Sequence, residues 1–391
     1  IMYDFKLPNY KENNIVNLMS SISSSFGKKH EYNELKSISP KELNDFENIV
    51  LIVIDGLGYN YLKKQKDSFL FKHLLSKLTS TFLSTTACAN TVFLVGYPPQ
   101  QHALTGWTIN LKEAGGITEI LPFIPRFGEK PMAKNKFNFS KIMDIKSFHK
   151  GFKGECFTII EKEKSTRDFI KYVAKETKIL PVKTYKDVFI KLSKLIAKKS
   201  KKRRFIHAYM DEFDSVQHRH GVDDKRTNKL FADIDSRIKK LSESIKDSNT
   251  KLIIVSDHGL INVSKESEIW VEDIPGLQEC LTIPITGEPR VRDCFVRPGK
   301  VKEFEEIVAT QMAKYCWSFK GEQLIKDNFY GLGTPNKKLF DRVGDYVLIM
   351  KENYTLRDEI TGYGHRHRPE KASHGAFSDD EMLVPLIVLD C

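Results

Sequence analysis

The chain has 391 residues, enough for one large domain with insertions or two ordinary ones, and too many for a disulfide-stapled mini-protein. With 40% hydrophobic and 29% charged residues, its composition is that of an ordinary globular protein. Its 62 Lys and Arg against 51 Asp and Glu leave a net charge of +11, which suits an anionic partner: nucleic acid, a membrane surface or a phosphorylated small molecule.

Residues 1–47 are rich in Lys, Asn and Ser, with a helical apolar rhythm at Ile15, Leu18, Met19 and Ile22. An unbroken β-branched run follows at 49–54 and ends in Asp55-Gly56. Such a run suits a strand buried on both faces, as in a parallel sheet. Residues 205–209 and 252–255 share the pattern, and 384–389 could close the sheet, with Pro385 marking a strand start or an edge. Between them, 188–199 and 225–245 carry helical stripes (Val188, Leu192, Leu195, Ile196; Leu230, Ile234, Ile238, Leu241, Ile245). The alternation predicts an α/β fold, a central, mostly parallel sheet sandwiched by helices. Residues 265–365, punctuated by Pro and Gly, are expected to form a smaller α+β cap inserted between core segments 1–264 and 366–391.

The longest apolar runs fall far short of the roughly 20 residues a spanning helix needs. Six scattered cysteines, Cys88, Cys156, Cys280, Cys294, Cys316 and Cys391, show neither zinc-ribbon nor redox spacing. A soluble protein in a reduced, cytoplasmic compartment is the expectation, with a removed leader compatible with a start at Ile1.

Ligands of open α/β sheets sit beyond the carboxyl ends of the strands. There the sequence offers Asp55, then Asp211-Glu212-Phe213-Asp214, then Asp257 and His258. Carboxylates brought together repel and raise one another's pKa, and a divalent metal is the simplest way to hold them. Each piece also has an ordinary use. Asp55-Gly56 is a common turn, and Asp214 with His218 is a common surface pair, although on a helix both would share a face. His220 points elsewhere on that helix. His374, in Ser373-His374-Gly375, has rivals in His365 and His367. Ser84-Thr85-Thr86 precedes an apolar, helix-like stretch at 89–95; the default there is an N-cap, and the same geometry sets a hydroxyl beside N–H groups that attract anions. The basic run 198–204 reads as a polyanion patch or, more simply, as a solvated helix end favoured by the dipole.

The order of these pieces resembles the alkaline phosphatase superfamily, closest to its nucleotide pyrophosphatase/phosphodiesterase branch. The series runs from Asp55 through Phe82-x-Ser84-x-Thr86, Gly96-Tyr97-Pro98 and His102. It continues with Tyr209, Asp214, His218 and Gly221, then Ser256-Asp257-His258-Gly259, then Ser373-His374-Gly375. The resemblance implies two zinc ions, with manganese or another divalent metal as the alternative. Asp55, Asp257 and His258 would hold one beside Thr86, and Asp214, His218 and His374 the other. It also selects Thr86 over its hydroxyl neighbours, and His374 over its rivals. Two departures stand out. The family's nucleophile is followed by Phe-Pro-Asn-His, here replaced by Ala87-Cys88-Ala89-Asn90. A family Asn that supports the transition state falls, by counting, near Trp107, with Asn110 or backbone N–H groups as substitutes.

The function so implied is two-metal hydrolysis of phosphodiester or phosphoanhydride bonds in a small, nucleotide-like phosphate ester, through a phospho-threonine intermediate. The alternatives are a phosphomonoesterase or phosphonate hydrolase of the same superfamily and, more distantly, a basic nucleic-acid-binding protein without catalysis. No specific nucleic-acid partner is expected.

Overall fold

Strand β1, Asn48–Ile54, is buried along its whole length. Ile49, Leu51 and Val53 pack into one apolar cluster, while Val50, Ile52 and Ile54 pack into a second on the other side of the sheet. This is why its sequence is an unbroken apolar run. The computed structural model describes residues 7–127, 137–145, 147–359 and 370–391. In it β1 is the middle strand of seven, with β2 (Leu74–Thr79), β3 (Glu155–Glu161), β4 (Lys178–Val182), β5 (Arg204–Met210), β6 (Thr250–Val255) and β7 (Leu383–Asp390). The order is β2-β7-β6-β1-β5-β3-β4. β6, β1, β5, β3 and β4 are parallel, and β7 runs antiparallel to both β6 and β2. Pro385 lies near the start of β7, before its first pair with β6, where only β2 flanks the strand. Its missing N–H therefore takes nothing from the β6 ladder.

Helices cover both faces. α1 (Ile15–Ser25) and α2 (Thr86–Val95) pack on the side of Ile49, Leu51 and Val53. α3 (Tyr185–Ile196) and α5 (Lys225–Ser244) pack on the other, their apolar stripes buried as the spacing predicts. α4 (Glu212–His220) follows β5 directly. The basic run ends inward: Arg204 donates to the carbonyls of Leu195, Ile196 and Lys198, and Arg203 to those of Ser25, Leu43 and Phe46. These two arginines therefore satisfy the open end of α3 and nearby turns from within the protein.

A second seven-stranded sheet is antiparallel and non-local. In spatial order it comprises Cys316–Lys320, Tyr346–Met350, Val291–Cys294, Thr286–Glu288, Thr108–Leu111, Gly116–Glu119 and Ile124–Pro125. Residues 286–350 thus share one sheet with residues 108–125, which precede most of the core. A buried ion pair fixes the turn beside this sheet to the short helix Asp379–Met382 before β7: Arg290 donates to both carboxylate oxygens of Glu381, at 3.1 and 3.0 Å.

Two histidines lie deep in the core without hydrogen-bond partners among the described residues. His207 on β5 and His149 are both buried, and none of their four ring nitrogens is paired. Burial lowers the pKa of His207 to about 4, and burial plus the His207 charge lowers that of His149 to about 3. Both are depressed, so their contribution to stability is full above the unfolded value near 6.5 and is lost as pH falls toward these folded values. Denaturant unfolding between pH 7 and 4 should show this loss, at up to about 1.4 kcal/mol per pH unit for each group. His207→Leu should flatten the dependence, and an unchanged slope would refute the assignment.

Candidate active site

Because β1, β5 and β6 run parallel and in register, the residues that follow them emerge together at one edge. Asp55 follows β1; its Oδ2 accepts from the Tyr209 hydroxyl, and its Oδ1 lies 3.2 Å from His258 Nε2. Asp257 Oδ1 accepts from the backbone N–H groups of Gly56 and His258, whereas its buried Oδ2, 3.7 Å from His258 Nε2, has no hydrogen-bond partner among the described residues. Gly56 has φ +74, and a Cβ there would stand 2.8 Å from Leu260 and 3.0 Å from Asp214. Only glycine lets α4 close on this turn. In the acidic stretch, Asp211 pairs with Lys164 and Glu212 accepts from the Tyr185 N–H, which leaves Asp214 facing the cluster.

Asp214 Oδ1 is also buried and makes no hydrogen bond among the described residues, although His218 Nε2 lies 3.3 Å and His374 Nε2 4.0 Å from it. The His258 and His374 rings stack at 3.9 Å. The three imidazoles are held alike: Nδ1 of His218, His258 and His374 bonds to the carbonyl of Ala372, Gly259 and Ser84, respectively. A carbonyl only accepts, so each Nδ1 carries the hydrogen. In a neutral ring, the Nε2 lone pair then faces the carboxylates, and either a proton or a cation must lie between them.

The electrostatics agree. Burial and then the Asp55 charge push Asp257 well up. Burial also works to raise Asp55, but its hydrogen bond to His258 and the charge there hold it below the usual carboxylate range. Burial would lower His258 and His218, yet Asp257 raises the first to about 10 and Asp214 the second to about 9. Burial and the other two histidines drive His374 far down. A divalent cation would satisfy the two orphaned carboxylate oxygens and replace the protons, and this mixed carboxylate and imidazole set suits zinc or manganese. Ligand atoms of Asp55, Asp257 and His258 lie within 4.8 Å of one another, as do those of Asp214, His258 and His374. His258 therefore sits at the junction, and His218 joins through Asp214.

Thr86, the first residue of α2, places Oγ1 3.1 Å from His258 Nε2 and 3.4 to 3.5 Å from the Asp55 carboxylate. Ser84 and Thr85 are turned away: the Ser84 hydroxyl donates to the Ala376 carbonyl, and the Thr85 hydroxyl to Glu288. Trp107 gives its backbone N–H to the same Glu288 oxygen, at 2.8 Å. Asn110 lies on the Thr108–Leu111 strand; Thr108 pairs with Gly287, so strand alternation puts Asn110 on the face opposite the Glu288 side chain. His365 and His367 lie outside the described residues. Sequence reasoning did not find Glu288, Arg290 or Glu381, which sit in short segments without periodicity. Tyr209 stood in the motif without a role.

A profile of the type I phosphodiesterase / nucleotide pyrophosphatase family matches residues 49–376. The chain belongs to that family. Its general reaction is that of the family, hydrolysis of phosphodiester or pyrophosphate bonds. Among solved structures it is similar to murine ectonucleotide pyrophosphatase / phosphodiesterase 5, with TM-score 0.66 and 17% identity over 86% of this chain and 87% of that one. An inactive variant of the murine protein in complex with AMP matches with TM-score 0.64 at 17% identity over the same shares. The human counterpart matches with TM-score 0.63 at 16% identity, covering 87% of each chain. These likenesses show the alkaline phosphatase-like fold. No curated protein matches the chain. No helix among the described residues is long and apolar enough to cross a membrane. The solved relatives are ecto-enzymes by name, so the cytoplasmic expectation draws no support from them.

Metal binding is testable apart from turnover. Zinc at a free concentration a hundredfold above its Kd should stabilise chelator-treated protein by about 2.7 kcal/mol in denaturant unfolding. The Asp257→Asn, His258→Ala double variant should lose most of that gain. No stabilisation of the wild-type chain by zinc or manganese would remove the metal assignment.

Proposed function

We propose that this chain is a two-metal phosphodiesterase or nucleotide pyrophosphatase acting on a small, nucleotide-like phosphate ester, with Thr86 as nucleophile. The observation that carries the reading is the Thr86 hydroxyl, which stands at the amino end of α2 within 3.1 Å of His258 and 3.5 Å of Asp55. Asp55, Asp257 and His258 would hold one divalent ion, and Asp214, His218 and His374 the other, zinc being the first choice and manganese the second. When bound, such ions supply Lewis-acid polarisation of the phosphoryl oxygens and acidify the groups they touch.

The protein's own part is positional. β1, β5 and β6 deliver the carboxylates, backbone carbonyls fix the imidazole orientations, and α2 directs its N-terminal N–H groups toward the phosphoryl oxygens. Thr86 Oγ bonds to phosphorus as the leaving-group oxygen departs on the opposite side. Water then cleaves the phospho-threonine, which restores the hydroxyl and releases the phosphate product. The AMP bound by the inactive murine relative supports a nucleotide-like substrate. We take residues 265–365 as the cap of a core built from 1–264 and 366–391, with the cap's sheet completed by the 108–125 strands of the first core segment. Nucleic-acid binding loses its sequence basis in part, because Arg203 and Arg204 of the basic run are spent on backbone carbonyls. Trp107 and Asn110 are carried as candidate substrate contacts, with the Trp107 backbone N–H held by Glu288.

The test compares bis-(p-nitrophenyl) phosphate with p-nitrophenyl phosphate, with and without chelator. Diester preference, abolished by chelation and restored by zinc, is the expected result; monoester preference would move the enzyme to the phosphatase alternative. Thr86→Ala should lower kcat by at least about a thousandfold while zinc still binds. Full activity in that variant would end the nucleophile assignment.

A further inference from the structure

Thr85 is the N-cap residue of α2, with extended backbone at φ −142 and ψ 152, yet its side chain caps nothing. A threonine there ordinarily accepts from an N–H of the first helical turn. Here the hydroxyl donates instead to Glu288 Oε1, at 2.6 Å, from a strand 203 residues further along the chain. The same oxygen accepts the Trp107 N–H. The approach that allows this is built into the backbone. A Cβ at Gly106 would lie 2.8 Å from the Gly287 Cα, so the 106–108 segment meets the 286–288 strand only with glycine at that point. Glu288 is buried, and it joins the nucleophile loop, through Thr85, to the residue just before the 108–111 strand, Trp107.

From this geometry we infer that Glu288 is a positioning residue: its carboxylate ties Thr85 to the Trp107 backbone and thereby sets the Thr86 hydroxyl against the aspartate–histidine cluster. The inference rests on the proposed role of Thr86 but deepens it, because it makes the second sheet a working part of the nucleophile loop. Diverting the Thr85 hydroxyl has a second effect. It leaves the first-turn N–H groups without a side-chain acceptor; the Cys88 N–H turns to the Thr85 carbonyl, and those of Thr86 and Ala87 stay available to a phosphoryl group. Burial raises the Glu288 pKa to about 7, against the opposing effect of its hydrogen bond with Thr85.

The test pairs turnover with a readout independent of it. In zinc-loaded protein, kcat and KM for bis-(p-nitrophenyl) phosphate are measured alongside amide hydrogen exchange over residues 84–89, for wild type, Glu288→Ala, Glu288→Gln and Thr85→Val. Glu288→Ala and Thr85→Val should each lower kcat by about tenfold with KM within about twofold, and the double variant should be no worse than either. Both should speed exchange over 84–89 by about tenfold, while β1 stays protected. Glu288→Gln, whose amide oxygen can still accept both hydrogens, should keep most of the wild-type kcat. Should Glu288→Ala fail to fold, Thr85→Val and Glu288→Gln read the same contact. Exchange and kcat within about twofold of wild type in Thr85→Val would overturn the inference, as would a Glu288→Gln loss equal to that of Glu288→Ala. Faster exchange in a protein whose wild type shows no turnover would uphold the tether and instead defeat the catalytic reading of Thr86.

Discussion

Three aspartates, Asp55, Asp214 and Asp257, converge at the carboxyl edge of a parallel sheet, and Asp257 is wholly buried there. Like charges in a low-dielectric site cannot all remain ionised unless something positive joins them. Much of the surrounding structure answers that demand. The Tyr209 hydroxyl is donated to Asp55, two backbone N–H groups are given to one Asp257 oxygen, and three imidazoles are turned so that only Nε2 faces inward. One oxygen on each of Asp214 and Asp257 is still left over. These two unpaired oxygens are what make the edge a candidate cation site rather than a salt-bridged core.

A second tier of contacts holds these groups in place from a distance. Glu381 accepts from Arg290, from the Ser378 hydroxyl and from the Ala376 N–H, while its own carbonyl receives the Gly259 N–H. One buried residue thus braces both: its carboxylate holds the His374 loop, and its backbone carbonyl holds the turn that carries Asp257 and His258. A buried pair of this kind adds little net stability over an apolar one, but losing one partner leaves a stranded charge. Its value lies in fixing geometry where small displacements count. The net charge of +11 belongs to a different scale: much of it is spread over exposed lysines, while the arginines that end the basic run are bound internally.

The core was legible in the sequence because its strands are buried on both faces and its helices on one. The 49–54 run and the stripe from Ile234 to Leu241 each carry a single periodicity with a single structural solution. The acidic and imidazole groups were legible as a set because strand ends in such sheets share an edge, although their pairing into two sites came only from family order. The second sheet was not legible. Its strands are mostly three to five residues long, and two residues in the last case, too short for alternation to stand out. Their partners lie far apart in the chain. Glu288, in the three-residue strand beside Pro289, has no local signature, and neither does the diversion of Thr85 from its cap. Trp107 was reached by counting alone, which gives a position but not an orientation.

The joining of residues 286–350 to the 108–125 hairpin has a consequence for how the molecule assembles. The Thr108 hydroxyl finds its acceptor, the Gly287 carbonyl, 179 residues later. During synthesis the hairpin emerges early and must keep an open edge until that partner strand arrives, an exposure that invites mispairing. Contacts of such long range also place the protein among slowly folding topologies. Removing residues 265–365 would therefore not yield a trimmed core. It would leave a strand searching for a neighbour beside the nucleophile loop.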